Sequence, residues 1–120
     1  MSKSIALCVD DILFTSKIAV TAKALQIETN SISGKPETIV EQIRSLKPSA
    51  ILMDLNSNKM NPIVLIHSLK NDPVTVSIPI IGFLSHVDTD TRNAAVSAGC
   101  DQIITRSTFV QKLPGILSAI

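Results

Sequence analysis

Aromatic side chains are nearly missing from this chain: three Phe, no Trp and no Tyr in 120 residues. A stacking platform for single-stranded nucleic acid is therefore not expected, because such surfaces are built from aromatic rings. The core must be aliphatic. Cysteine is scarce too, with only Cys8 and Cys100. Two thiols make neither a disulfide framework nor a zinc pattern, and each reads as a small core residue. The four glycines, Gly34, Gly82, Gly99 and Gly115, are scattered. No glycine-rich loop exists to cradle a phosphate, which argues against a small flavodoxin-like catalyst or nucleotide binder. Eleven basic and ten acidic residues leave a net charge of +1, with no long run of one sign. Neither DNA nor an anionic membrane is then an obvious partner. The apolar run Ile5 to Val9 is too short for a signal-peptide core. The run Ile78 to Leu84 contains Pro79 and is too short to span a bilayer. A cytoplasmic location is the default expectation.

What is present is ample apolar content, 45% hydrophobic against 18% charged, enough for a real core. One domain over residues 1–120 is the natural reading. The chain alternates. Ile5 to Val9 reads as a buried strand ending at Asp10-Asp11. Leu13 to Leu25 reads as a helix, with Phe14, Ile18, Ala22 and Leu25 at helical spacing. Gln26 to Ile32 is a half-polar strand, expected near an edge. Glu37 to Leu46 is a helix opened by Pro36 and stopped by Lys47-Pro48. Ser49 to Asp54 is a strand of apolar residues ending abruptly in a carboxylate. Pro62 to Lys70, Ile78 to Leu84, Asp90 to Ala98 and Asp101 to Thr105 then read as helix, strand, helix and strand. Asp90 stands near the start of its helix and Gly99 at its end. Phe109 to Ile120 is a last amphipathic helix, with Pro114 expected to kink it.

Five strand–helix alternations demand a parallel sheet covered on both faces by right-handed crossovers. The fold class is α/β, a flavodoxin-like doubly wound (βα)5 with strand order 2-1-3-4-5. That order reverses between strands one and three, and ligands bind in such a crevice beyond the carboxyl ends of the strands. Asp10, Asp11 and Asp54 are thus expected to share one hollow. Packed carboxylates repel, so some protonate or recruit a cation. Hard oxygen ligands select Mg²⁺ or a similar ion. A carboxylate there can also attack phosphorus. Arg106, just past strand five, can bind phosphoryl oxygens in a bidentate way. The plain alternative is that Asp10 or Asp11 caps the following helix, Asp54 ends a strand, and Arg106 pairs with a carboxylate.

Over its whole length the chain resembles the receiver domain of two-component response regulators. Val9-Asp10-Asp11 is similar to the family's acidic pair, Asp54-Leu55 to its phosphoacceptor and Met60 to the methionine of the following loop. Leu69-Lys70-Asn71-Asp72-Pro73, Ile78-Pro79-Ile80-Ile81 and Ala98-Gly99-Cys100-Asp101 follow the family pattern in the right order. The resemblance implies Mg²⁺ held by Asp11, Asp54 and the backbone carbonyl of Asn56, with Asp10 assisting. It implies phosphoryl transfer to Asp54 from a phosphohistidine on a histidine kinase or phosphotransfer protein, and a downstream protein partner. A homodimer through the face of helix four, strand five and helix five suits the family, and the alanine-rich helix four allows close approach. No sequence feature requires one.

The chain departs from the pattern where the phosphoryl group is read. Leu84 takes the hydroxyl position at the end of strand four, and Ser85 comes one residue late. Arg106 takes the lysine position, Ser107 the usual cis-proline, and Ile103 the aromatic switch position in strand five. Ser57-Asn58 replaces the usual Met-Pro pair. An atypical receiver with impaired switch residues is the expectation. Its alternative is a phosphorylation-independent pseudo-receiver, a protein-binding module in which Arg106 rests against Asp54. Its chemistry is limited to its own phosphorylation and dephosphorylation, and no direct nucleic-acid or membrane contact is expected. His67 is expected at the surface, His86 near the site rim, and Ser16 and Lys17 beside a docking surface. No catalytic or DNA-binding output fits within this length, so the chain is expected to dock on a partner or to be part of a longer protein.

Overall fold

The computed structural model describes residues 3–85 and 88–120. His86, assigned to the site rim from sequence, lies outside them. The elements run β1 (Lys3–Cys8), α1 (Ile12–Ala24), β2 (Ile27–Ser31), α2 (Pro36–Leu46), β3 (Ala50–Asp54) and α3 (Pro62–Lys70). They continue as β4 (Ile80–Leu84), α4 (Thr89–Ala98), β5 (Gln102–Thr105), α5 (Arg106–Gln111) and α6 (Leu113–Ser118). The strands form one parallel sheet in the order β2-β1-β3-β4-β5. The half-polar strand β2 is at one edge, as its composition suggested.

Two cores lie on the two faces, and the period-two alternation of the central strands feeds both. Ala6, Cys8, Ile51, Met53 and Ile80 meet Ile39 and Ile43 of α2, Leu65, Ile66 and Leu69 of α3, and Ala95 of α4. Ile5, Leu7, Leu52, Ile81 and Phe83 meet Phe14, Ile18 and Ala22 of α1, Phe109 of α5, and Leu113 and Leu117 of α6. The three phenylalanines, absent elsewhere, gather into one cluster, with ring centroids 5.0, 5.4 and 5.7 Å apart. Cys8 is fully buried, and burial pushes its thiol up to about 12, so it is no nucleophile. Cys100 is half-buried, its thiol also pushed up by burial. His67 is exposed, as expected.

Most boundaries differ from the sequence reading by a residue or two, and three differences have a plain physical reason. β4 begins at Ile80 rather than Ile78, because Pro79 has no N–H to place in a ladder; its carbonyl still accepts from Ile51 N–H at 2.9 Å. The N-cap of α4 is Asp88, whose side chain accepts from Thr91 N–H, and Asp90 sits in the first turn. The single C-terminal helix is two helices. α5 starts at Arg106, capped by the Thr105 hydroxyl, and the chain breaks at Lys112 so that Pro114 falls in the first turn of α6. A continuous helix would drive the Pro114 ring into the carbonyl of Val110.

Candidate functional site

Register sets the site. Cys8 of β1 is level with Met53 of β3, Asp54 is level with Phe83 of β4, and Leu84 is level with Thr105 of β5. Asp10 and Asp11 leave β1, Asp54 closes β3, and Arg106 follows β5, all at the carboxyl edge of the sheet. The four residues singled out by strand order thus come to one edge. Asp54 feels the charges of Asp10, Asp11 and Arg106 together.

Asp11 serves two partners. Its Oδ1 accepts from the N–H groups of Leu13 at 2.9 Å and Phe14 at 3.2 Å, capping α1. Its Oδ2 accepts from Arg106 Nη2 at 2.7 Å. The Arg106 hydrogen bond, then the Phe14 N–H, holds the Asp11 carboxyl below the usual carboxylate range. The guanidinium lies over the Phe14 ring, 4.1 Å from carbon to centroid. Both the capping role and the ion pair of the plain alternative are therefore present. The contact of Arg106 with Asp54 named for the pseudo-receiver alternative is not formed; the guanidinium meets a carboxylate at Asp11 instead. Arg106 is drawn to Asp11 because Phe14, one turn into α1, supplies a ring face for the guanidinium.

Asp10 is held from elsewhere. The Ser57 hydroxyl donates to its Oδ2 at 2.6 Å and itself accepts Met60 N–H at 3.2 Å. Ser57 is buried, 7% exposed, although it lies in a polar loop. Sequence reasoning noted Ser57 only as a missing methionine. A lone serine in a polar stretch carries no signal that a carboxylate 47 positions earlier will find it.

Asp54 is half-buried. Its Oδ1 accepts from Asn56 N–H at 2.9 Å, and Oδ2 takes no hydrogen bond from the described residues. Burial raises its carboxyl above the usual range, and the negative charges of Asp10 and Asp11 push the same way; the Asn56 N–H and Arg106 oppose. Asn56 bridges to the next loop, its Oδ1 accepting Ser85 N–H at 2.7 Å. Ser85 is thus tied by its backbone, and its residue is exposed. Leu84 is buried, 3% exposed, in the core under α2, α3 and α4, and Ile103 packs against that same core.

Three carboxylates and one guanidinium leave an excess of negative charge built from hard oxygen donors. That donor set suits a divalent cation such as Mg²⁺. Yet among the described residues no three acidic, imidazole or thiol groups are gathered closely enough to enclose an ion. Asp10 accepts from the Ser57 hydroxyl and Asp11 from the Arg106 guanidinium. The residues fit the group by chemistry, with two of them engaged elsewhere.

No protein-family model matches the chain, and no curated protein matches it. Solved structures do. The receiver domain of the sensor histidine kinase PA1611 from Pseudomonas aeruginosa PAO1, which coordinates a magnesium ion in its active-site cleft, superposes with a TM-score of 0.84 at 17% identity. The match covers 99% of this chain and 97% of that one. The Vibrio cholerae chemotaxis protein CheY4 gives a TM-score of 0.82 at 13% identity, over 100% and 98% of the two chains. The phosphorylated cyanobacterial phytochrome response regulator RcpA gives 0.79 at 18% identity, over 99% and 91%. Strand order and full-length superposition agree: the fold of this chain is that of the receiver domains of response regulators.

Proposed function

We propose that this chain is a receiver-type signalling domain, residues 1–120, that accepts a phosphoryl group on Asp54. The observation that carries the reading is Asp54 itself: half-buried at the carboxyl edge, one oxygen steadied by Asn56 N–H, the other taking no hydrogen bond from the described residues. In the transfer, the free oxygen of Asp54 attacks phosphorus of a phosphohistidine, the P–N bond breaks, and the imidazole leaves with the electron pair. Asp10, Asp11, Asp54 and the backbone carbonyl of Asn56 are the groups that would hold Mg²⁺. The ion supplies charge neutralisation where acids and phosphoryl oxygens meet. Burial of Asp54 keeps bulk water from the acyl phosphate. Arg106 meets the phosphoryl group only by leaving Asp11.

The partners under this reading are a histidine kinase or phosphotransfer protein and a downstream protein, in the cytoplasm. Association of two copies through the α4–β5–α5 face is part of the proposal; Val96 of α4 is 56% exposed. The domain is not a classical enzyme. To test it, the chain is incubated with acetyl phosphate and Mg²⁺ and followed by intact-mass measurement. A phosphoryl adduct that Asp54→Asn abolishes supports the reading; no adduct with any donor removes it.

A second reading has its own support. Leu84 buried in the core and Ile103 packed against it offer no hydroxyl and no rotating ring to read a phosphoryl group. A ligand shifts a conformation only through contacts that differ between its two states. Under this reading the domain binds its partner without phosphorylation, and Asp54→Asn leaves binding unchanged. A large loss of binding with the fold intact overturns it.

A further inference from the structure

At the amino end of the sheet, opposite Asp54, the structure holds a cavity of about 790 Å³. Its deepest residues are Ala50, which opens β3, and Ile81 of β4, 0% and 6% exposed. Its other wall is α6. The helix break at Lys112 accounts for the space. Leu113 and Leu117 enter the phenylalanine core, while Ile116 and Ile120 stay half-buried and line the cavity. Gly115 and Ala119 add little bulk to the same wall. Two charged residues line it, Asp101 and Lys112. The Asp101 carboxylate is already neutralised: its Oδ2 accepts from Lys70 Nζ at 2.8 Å and from Ile80 N–H at 2.8 Å. The exposed Lys112 ammonium has no ion pair or hydrogen bond among the described residues.

We propose that this cavity binds a small amphiphile with one carboxylate, of the medium-chain fatty acid class. The hydrocarbon lies over Ala50, Ile81, Ile116 and Ile120, and the carboxylate meets the Lys112 ammonium. Small-molecule sites have this make-up: a concave, mostly apolar lining of about 300–1,000 Å³, with a few polar groups to orient the ligand. A stable protein interface instead needs about 800 Å² on each side, more than one cleft between a short helix and the strand starts presents. The single uncompensated charge at the rim is positive, so the matching head group is an anion. Affinity comes mainly from the hydrocarbon, up to about fourfold for each methylene buried. The exposed ion pair adds about twofold to fivefold. The site asks nothing of Asp10, Asp11, Asp54 or Arg106, so it stands apart from the phosphoacceptor reading.

The test titrates octanoate, below its micelle concentration, into the full chain and follows isoleucine methyl shifts in ¹H–¹³C spectra. Saturable shifts are expected at Ile81, Ile116 and Ile120, with Ile39 and Ile43 of the opposite core unmoved. Octylammonium, with nearly the same hydrocarbon and the opposite charge, is expected to bind about twofold to fivefold more weakly than octanoate. Lys112→Glu is expected to reverse that order. A double variant, Gly115→Leu with Ala119→Leu, narrows the cavity. A Cβ at Gly115 meets no heavy atom within 4 Å, so the larger side chain displaces nothing there. That variant is expected to keep the parent's melting temperature and to lose octanoate binding by about tenfold or more. No saturable shift at the three methyls overturns the site, as does unchanged binding in the folded double variant. The same preference between the two probes in the parent and in Lys112→Glu overturns the head-group assignment.

Discussion

At the scale of single residues, Asp54 and Asp11 are displaced in opposite directions, and their effects on stability run in opposite directions too. The Asp54 carboxyl is raised above its unfolded value by burial and by its acidic neighbours. Its ionised form therefore costs stability above the raised value, and the cost fades as pH falls through that value toward the unfolded carboxylate pKa of about 3.9. Asp54→Asn is accordingly expected to raise the melting temperature at pH 7 and to lose that advantage near pH 3.5, in melts followed by circular dichroism. The Asp11 carboxyl is lowered, chiefly by Arg106. Its contribution is present above the unfolded value and is lost as pH drops through the lowered one. Arg106→Ala should let the Asp11 carboxyl titrate nearer the ordinary aspartate value, as read from its side-chain carbon shift, with the capping bonds from Leu13 and Phe14 still holding it down. The stacking lost from Phe14 alone should cost about 0.5–1 kcal/mol in chemical denaturation. An Asp11 titration unmoved by Arg106→Ala would contradict the pairing.

Elements are where the sequence was most readable. Apolar runs such as Ile51-Leu52-Met53 and the helical spacing of Phe14, Ile18 and Ala22 reflect burial directly, so strands and helices follow from periodicity, and their alternation matched to a known doubly wound arrangement supplies the sheet order. The edges of elements do not, because several residues compete for each one. Asp88 and Asp90 are both good cap chemistry, and only the chain path decides that Asp88 accepts the Thr91 N–H. The same limit applies to the crevice. Strand order brought Asp10, Asp11, Asp54 and Arg106 to one edge, but which oxygen meets which donor depends on side-chain neighbours, Phe14 and Ser57, that spacing does not encode. Within β4, Gly82 has a packing reason. A Cβ there would stand 2.7 Å from Cδ1 of Leu55, which is itself buried. Gly82→Ala is expected to destabilise the fold by about 1–3 kcal/mol. Adding Leu55→Ala should recover part of that loss in a double-mutant cycle, since the two sites touch. Strict additivity would show that the clash is not the cause.

Across the whole molecule, the sheet separates two cores, and the crevice residues draw on both. Asp11 and Arg106 are seated over the phenylalanine core with α1 and α5, whereas Leu84 and Ile103 belong to the core under α2, α3 and α4. A signal at Asp54 that acts through Arg106 therefore reaches α1 and α5 first. Under the phosphoacceptor reading, a beryllofluoride complex with Mg²⁺ is expected to shift amides of residues 11–15 and 105–109 more than those of α4. Dominant shifts in α4 would mean that coupling runs through the Leu84 side of the sheet after all.

The gathering of the three phenylalanine rings, with Phe14 beneath the Arg106 guanidinium, has a practical consequence. With no tryptophan or tyrosine, the chain is nearly silent in ordinary ultraviolet fluorescence. Biosynthetic fluorophenylalanine would instead place all three ¹⁹F nuclei within one ring cluster, against the residue that clamps the acidic crevice. A three-line fluorine spectrum thus becomes a nearly background-free gauge of whether that clamp is shut or open, recorded without assigning a single backbone resonance.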